Sequence, residues 1–261
     1  MLLPVRLVEK PWGRDTLPAP FASPAGKRIG EIWFEPPTGL DALLVKYLFT
    51  SEKLSVQVHP GGPGGKEECW LAVAAEPDAK LGIGFREPLG ADRMRSAALD
   101  GSIEHLLEWH PVTAGDFFYI TAGTVHAIGA GVSLIEVQQN RDVTYRLYDY
   151  GRPRELHLEQ GIAAAHGMPH DPALRRHVPA GGCVALAEGP FFRIDHVTGA
   201  APEGLVRRYR GPLLAIPLHG AALVAGQPVA PGQCAMANSI ADIAIADDAC
   251  CLLAQPCGAG E

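Results

Sequence analysis

The segment LSVQVHP places Gln57 and His59 two residues apart. On an extended strand alternate side chains share a face, so these two project together while Val56 and Val58 point the other way. An imidazole nitrogen beside an amide oxygen is a donor pair for a borderline metal ion such as zinc. A half-exposed strand that merely ends in His-Pro accounts for the fragment equally well in isolation. Downstream, GKEECWLAV repeats the spacing, with Lys66 and Glu68 on one face and Cys69 and Leu71 on the other, while Glu67 faces away from Glu68. A cation beside a carboxylate keeps it ionised and fit to bind metal. Taken alone, that stretch reads as an ordinary surface strand of mixed charge.

GDFFYITAGTVHAIGAG is the most informative fragment: a Gly-Asp turn, an aromatic strand, a turn of small residues, and His126 in an apolar strand flanked by glycines. Such glycines let backbone come close to where a ligand must lie. A lone His on an apolar strand is more often a satisfied core residue than a ligand, so the weight rests on its joint occurrence with the upstream pair. IEVQQNRDVTYRLYDYGRPRELH then gathers Glu136, Gln138, Asn140, Asp142, Arg146 and Arg152 on two strands joined by a polar turn at residues 139–142. A structural salt-bridge ladder is enough to explain Arg141, Arg154 and Glu155. Glu136 and Arg146, set between apolar positions, call for a purpose.

The elements that must hold these groups are mostly strands. Gly (30) and Pro (23) make up about a fifth of the 261 residues, and apolar residues fall in short runs between turn formers, which predicts a mainly β fold. The runs are Leu43 to Phe49, Leu54 to His59, Cys69 to Ala74, Asp116 to Ile120, Ser133 to Gln138 and Val143 to Tyr148. Residues 91–107 instead repeat apolar positions at three and four, predicting two short helices split at Gly101, and residues 155–165 predict a third. The Pro- and Gly-rich stretch HDPALRRHVPAGG marks a boundary near residue 175, giving segments 1–175 and 176–261. KPW near the start, HPVTAGDFFYI and PVAPGQCAM each suggest a Gly-centred turn before a strand, a weak trace of two related halves.

A net charge of −7 with scattered Lys and Arg argues against a nucleic-acid partner, yet leaves room for a small anionic substrate held by one or two local cations. The first apolar stretch is too short for a signal segment, and residues 213–224 fall short of a membrane span. Six cysteines without a CxxC pair fit reduced thiols in a cytoplasm better than a disulfide framework. No membrane partner is expected.

In order, KPWG, GEIWF, LSVQVHP, KEECW, GTVHAIGAG and EVQQNRDVTYRLYDYGR resemble the type I phosphomannose isomerases, especially their short bacterial form. The resemblance spans roughly residues 6–160 and is only general beyond them. It implies two cupin-type jelly-roll barrels (a bicupin) with a few short helices, residues 1–175 forming the metal-binding catalytic barrel with a short helical insertion and residues 176–261 a degenerate second barrel. It implies one zinc ion per chain held by Gln57, His59, Glu68 and His126. It places the family's Arg on Arg146 and its acidic partner on Glu136, puts Lys66 beside the metal and Ser55 on the ligand strand, and assigns Arg152 to the substrate phosphate. Two departures stand out: only GGPGG separates Pro60 from Lys66, implying a more open pocket rim, and the last segment shows no ligand set.

The activity so implied interconverts mannose 6-phosphate and fructose 6-phosphate by proton transfer through a cis-enediol, in a monomer or homodimer. Glu136 is the leading general base, with Lys66 or a zinc-bound water as alternatives, and Arg146 would stabilise the enediolate. Other readings compatible with the residues are a different metal-dependent cupin enzyme, such as a dioxygenase or an isomerase of another sugar phosphate, and a non-catalytic sugar-binding cupin.

Overall fold

Frequent Gly and Pro leave little room for long helices, and the computed structural model, which describes residues 1–257, is built mainly of short antiparallel strands. Its first sheet has seven: β1 (Val5–Arg14), β2 (Ile29–Phe34), β3 (Leu43–Phe49), β10 (Val132–Gln139), β5 (Glu68–Ala75), β8 (Asp116–Ile120) and β12 (Arg175–His177), in that spatial order. The second has five, ordered β11 (Tyr145–Tyr148), β4 (Val56–Val58), β9 (His126–Ile128), β6 (Lys80–Phe85) and β7 (Leu107–Pro111). Side chains from both sheets, among them Trp12, Leu48, Trp70, Leu81 and Ile83, form one buried apolar cluster between them.

On the outer face of the five-stranded sheet, Val56, Val58 and Phe85 pack with Met94, Ala97 and Ile162 of the short helices. Those helices are α1 (Ala91–Asp100), α2 (Ile103–Leu106) and α3 (Leu158–Ala164). The break expected at Gly101 is present, and that residue adopts φ 82°, where glycine is favoured. The third helix starts later than its periodicity implies, because His157 donates its backbone N–H to Arg146 O (2.7 Å), which ties the chain before α3 to β11.

The remaining strands are β13 (Cys183–Glu188), β14 (Phe192–Thr198), β15 (Leu213–His219), β16 (Ala222–Val224), β17 (Gln227–Val229), β18 (Ala235–Ala237), β19 (Ile243–Ile245) and β20 (Cys250–Pro256), with α4 at Glu203–Arg208. They form a five-stranded sheet ordered β13-β14-β20-β15-β18 and a three-stranded one ordered β17-β16-β19. Apolar side chains including Val197, Leu213, Val224 and Leu253 fill the space between. No sheet closes on itself among the described residues.

One expectation changes. KPWG lies inside β1, across a register shift against β2, and makes no turn ahead of a strand. Gly13 is there because a Cβ would meet the backbone of Ile29 and Gly30 at 2.5 Å, so the requirement is close strand approach and not a turn. Arg175–His177 pairs with β8, which takes the first sheet past residue 175, and the chain changes sheets between 178 and 182. The six cysteines are all unpaired, and no helix among the described residues is long and apolar enough to cross a membrane.

Candidate active site

Strand alternation sorts the large sheet into two chemically opposite faces. Along β3 all seven residues of LLVKYLF are buried. Leu43, Val45, Tyr47 and Phe49 enter an apolar core shared with Ile194, Ile216 and Leu252 of the C-terminal sheet. The intervening Leu44, Lys46 and Leu48 line a cavity of about 300 Å³. In the same phase, Glu31 and Trp33 of β2, Trp70 of β5, and Glu136 and Gln138 of β10 face that cavity. Register does the rest: Lys46 pairs with Trp33 on one side and Glu136 on the other, and Glu136 pairs with Trp70.

This row is a buried ion-pair network. Lys46 Nζ donates to Glu136 Oε1 (2.9 Å) and Gln138 Oε1 (2.5 Å), and lies 4.7 Å from the Trp33 ring centroid. Trp70 Nε1 donates to Glu136 Oε2 (3.2 Å), and Lys66 Nζ donates to Gln138 Oε1 (2.9 Å). Burial by itself would strip the Lys46 proton, but Glu136 and Glu31 outweigh it, so the ammonium's pKa is raised above its ordinary value. Trp33 Nε1 donates to Glu31 Oε2 (2.7 Å), and Lys10 stands 3.3 Å from the same oxygen.

Behind the cavity floor, His59, Glu68 and His126 bring one donor atom each within 4.8 Å of the others, all buried. They come from both sheets: Glu68 opens β5, His126 opens β9, and His59 follows β4, whose central Gln57 pairs with His126 and Arg146. His59 Nδ1 donates to Val143 O (2.7 Å) and His126 Nδ1 to Thr124 O (3.0 Å), so both rings turn Nε2 toward Glu68. Imidazoles that ligate metals are oriented in this way.

The turn between β8 and β9 fixes His59 from the backbone side, since Gly123 donates its N–H to His59 O (2.8 Å). Gly123 has φ 82°, and a Cβ there would meet the His166 ring at 2.5 Å.

The cluster's electrostatics suit a cation. Burial would push the Glu68 carboxyl up, but the Lys66 ammonium beside it holds it well below the usual carboxylate range. Burial drives His126 down to about 4, against the opposing pull of Glu68, so it is neutral at physiological pH. Lys66 Nζ forms a buried ion pair with Glu68 Oε2 (2.8 Å), while His59 Nε2 is buried without a hydrogen-bond partner, 3.3 Å from the same oxygen. Buried imidazole and carboxylate donors converging in this way are what a metal ion would engage. Gln57 lines the cavity beside them, its Nε2 3.2 Å from His126 Nε2 and its Oε1 accepting from Ser55 Oγ (3.0 Å). Half a turn of that amide would present oxygen instead of nitrogen to the cluster.

Of the residues singled out in the sequence, Ser55, Gln57, Lys66, Glu136 and Arg146 line the cavity, with His59, Glu68 and His126 behind it. Arg152 does not line it. Its guanidinium is spent on Asp149 (2.9 Å) and Lys53 O (2.7 Å) and lies over the Tyr150 ring, because β11 has ended and the chain has turned away at Tyr150-Gly151. Arg154, readable from sequence only as part of a ladder, lines the cavity, as do His157 and Arg141. Lys46 was missed as well. The available signal was one charge in an otherwise apolar run, in phase with Leu44 and Leu48.

This fold is that of the phosphomannose isomerases: the crystal structure of the mannose 6-phosphate isomerase from Bacillus subtilis superposes with TM-score 0.73, covering 97% of this chain and 98% of that one at 22% identity. A zinc-bound mannose 6-phosphate isomerase gives 0.67, covering 98% and 97% at 16% identity. No family model matches the chain. At the level of sequence, the mannose-6-phosphate isomerase of Streptococcus mutans is 43% identical over 46% of this chain and 42% of its own length. The chain therefore spans less than half the length of that curated relative in alignment, and it is similar to mannose-6-phosphate isomerases both in sequence and in fold.

Proposed function

We propose that this chain is a metal-dependent isomerase interconverting mannose 6-phosphate and fructose 6-phosphate. The supporting observation is the convergence of three buried donor groups, His59, Glu68 and His126, directly behind a cavity that holds a charged Lys46–Glu136 pair. The two sheet pairs, divided near residue 175, are read as two cupin-type barrels of which only the first carries the chemistry. The candidate metal cluster found among the described residues lies wholly in the first, which supports that division.

Gln57, His59, Glu68 and His126 would hold one zinc ion, the amide turning its oxygen inward. When bound there, zinc supplies Lewis-acid charge that polarises the oxygens of an open-chain sugar. The rest falls to side chains. Glu136 is the base that moves the proton between C1 and C2, and it is oriented by Trp70 Nε1 and Lys46 Nζ, which fix both oxygens. Lys46 and Arg146 stabilise the charge that builds on the enediolate oxygens, Arg146 without ever losing its own proton. Lys66, bonded to Gln138 and close to Glu68, holds the ligand carboxylate ionised and in place. Ser55 keeps the Gln57 amide in register.

The test is conversion of mannose 6-phosphate by purified protein before chelation, after it, and after zinc is restored. Activity lost and regained is expected. Metal-replete protein that leaves the sugar phosphate untouched would refute the isomerase assignment.

A further inference from the structure

An isomerase of sugar phosphates must also grip the phosphate, far from the atoms that react. We propose that the grip is an anion cradle formed by Arg154 and His157, with buried Asp149 as the positioning residue for Arg154, and that Arg152 takes no part in it. This deepens the reading given above and rests on it for the identity of the sugar.

Three observations carry the assignment. First, Arg154 donates through Nε and Nη2 to the two oxygens of Asp149, both at 2.6 Å, and Asp149 is 2% exposed. One edge of the guanidinium is thereby locked to a buried carboxylate, while the residue lines the cavity and Nη1 has no protein partner among the described residues. A planar cation held on one edge keeps the other free for phosphate oxygens at little entropic cost. Second, His157 lines the same wall, and its Nδ1 accepts from Arg146 N (3.3 Å). A ring whose Nδ1 accepts has its donor at Nε2, here 3.9 Å from Glu155 Oε2 at the rim. Third, Glu136 and Glu31 deeper in the cavity are matched by Lys46 and Lys10, which leaves Asp142 as the lining carboxylate facing Arg141, Arg146 and Arg154, a local excess of positive charge for an incoming anion. Arg146 itself makes only one long contact, from Nη1 to Glu155 O at 3.4 Å.

The experiment compares Arg154→Gln, Arg152→Gln and Asp149→Asn with the parent chain in two assays. These are KM and kcat for mannose 6-phosphate, and binding of inorganic phosphate to zinc-loaded protein by calorimetry. Arg154→Gln should raise KM about tenfold or more and weaken phosphate binding likewise, with kcat within about threefold, as loss of a charge-assisted bond predicts. Arg152→Gln should leave both near parent values. Asp149→Asn should raise KM, and the Asp149→Asn/Arg154→Gln double variant should be no worse than Arg154→Gln alone, an outcome a merely structural role for Asp149 would not give. Should Asp149→Asn fail to fold, the contrast between Arg154→Gln and Arg152→Gln still decides. If Arg152→Gln raises KM and Arg154→Gln does not, or if phosphate binding is blind to Arg154→Gln, the cradle is wrong while the isomerase stands. Phosphate binding that needs Arg154 in a protein without isomerase activity would leave the cradle and remove the isomerase.

Discussion

Lys46 and Glu136 face each other across neighbouring strands with almost no solvent contact, 2.9 Å apart. Removing one partner from such a pair strands the other charge, which typically costs about 3–5 kcal/mol. Lys46→Met should show a loss of that order in urea denaturation, and the double variant Lys46→Met/Glu136→Leu should recover most of it. Additive losses would mean that the two charges are not coupled. Glu136→Gln should cut kcat by about 10²–10⁴, the usual worth of general acid–base catalysis, when assayed as folded protein. Gln57 and His59 stood out in the sequence because their two-residue spacing on a strand is local, whereas Glu68 and His126 join them only through strand pairing. Lys46 and Arg154 did not, since their meaning depends on partners brought in by the register of β3 against β10 and by the turn after β11.

Strands show the same limit one level up. The run Leu43 to Phe49 and the run Asp116 to Ile120 coincide with β3 and β8, because an unbroken apolar stretch between turn residues has few alternatives. The run Leu54 to His59 shrinks to Val56–Val58, since only Gln57 and its neighbours find partners in β9 and β11. At the next turn, Gly123 combines positive φ with a site that His166 already fills, and it steadies His59 through its N–H. Gly123→Ala should lower the thermal midpoint and weaken zinc binding together, read by calorimetry and metal titration. Unchanged zinc affinity would disconnect this turn from the ligand. A glycine in the GTVHA segment was conspicuous in the sequence, but the ring it must avoid comes from the chain leading out of α3 and has no local signature.

Across the whole molecule, burial lowers the pKa of His110, His126, His170 and His196, with His126 reaching about 4. In the unfolded chain these rings titrate near ~6.5, so below that pH the unfolded state binds more protons than the folded one. Their contribution to stability is therefore present above ~6.5 and is lost as pH falls toward each folded value. Glu68, held low, loses its contribution on still stronger acidification. The melting temperature of metal-free protein should drop steadily between pH 7 and pH 5, and a flat profile there would contradict the buried, neutral state of these rings. The mainly β class was legible from Gly, Pro and short apolar runs. The shared core was not, because nothing local tells that residues 43, 45, 47 and 49 meet residues 194, 216 and 252.

That shared core gives the C-terminal half a task in a molecule whose candidate metal cluster, among the described residues, lies in the other half. Every second residue of β3 is anchored in it, while the residues between face the cavity. The same backbone thus works like an optical mount, bolted down on one side and carrying its instruments on the other. Loosening the bolts, for instance by shaving Ile216 or Leu252, would blur the alignment of groups it never touches, so drift in the silent half should be felt first as lost turnover.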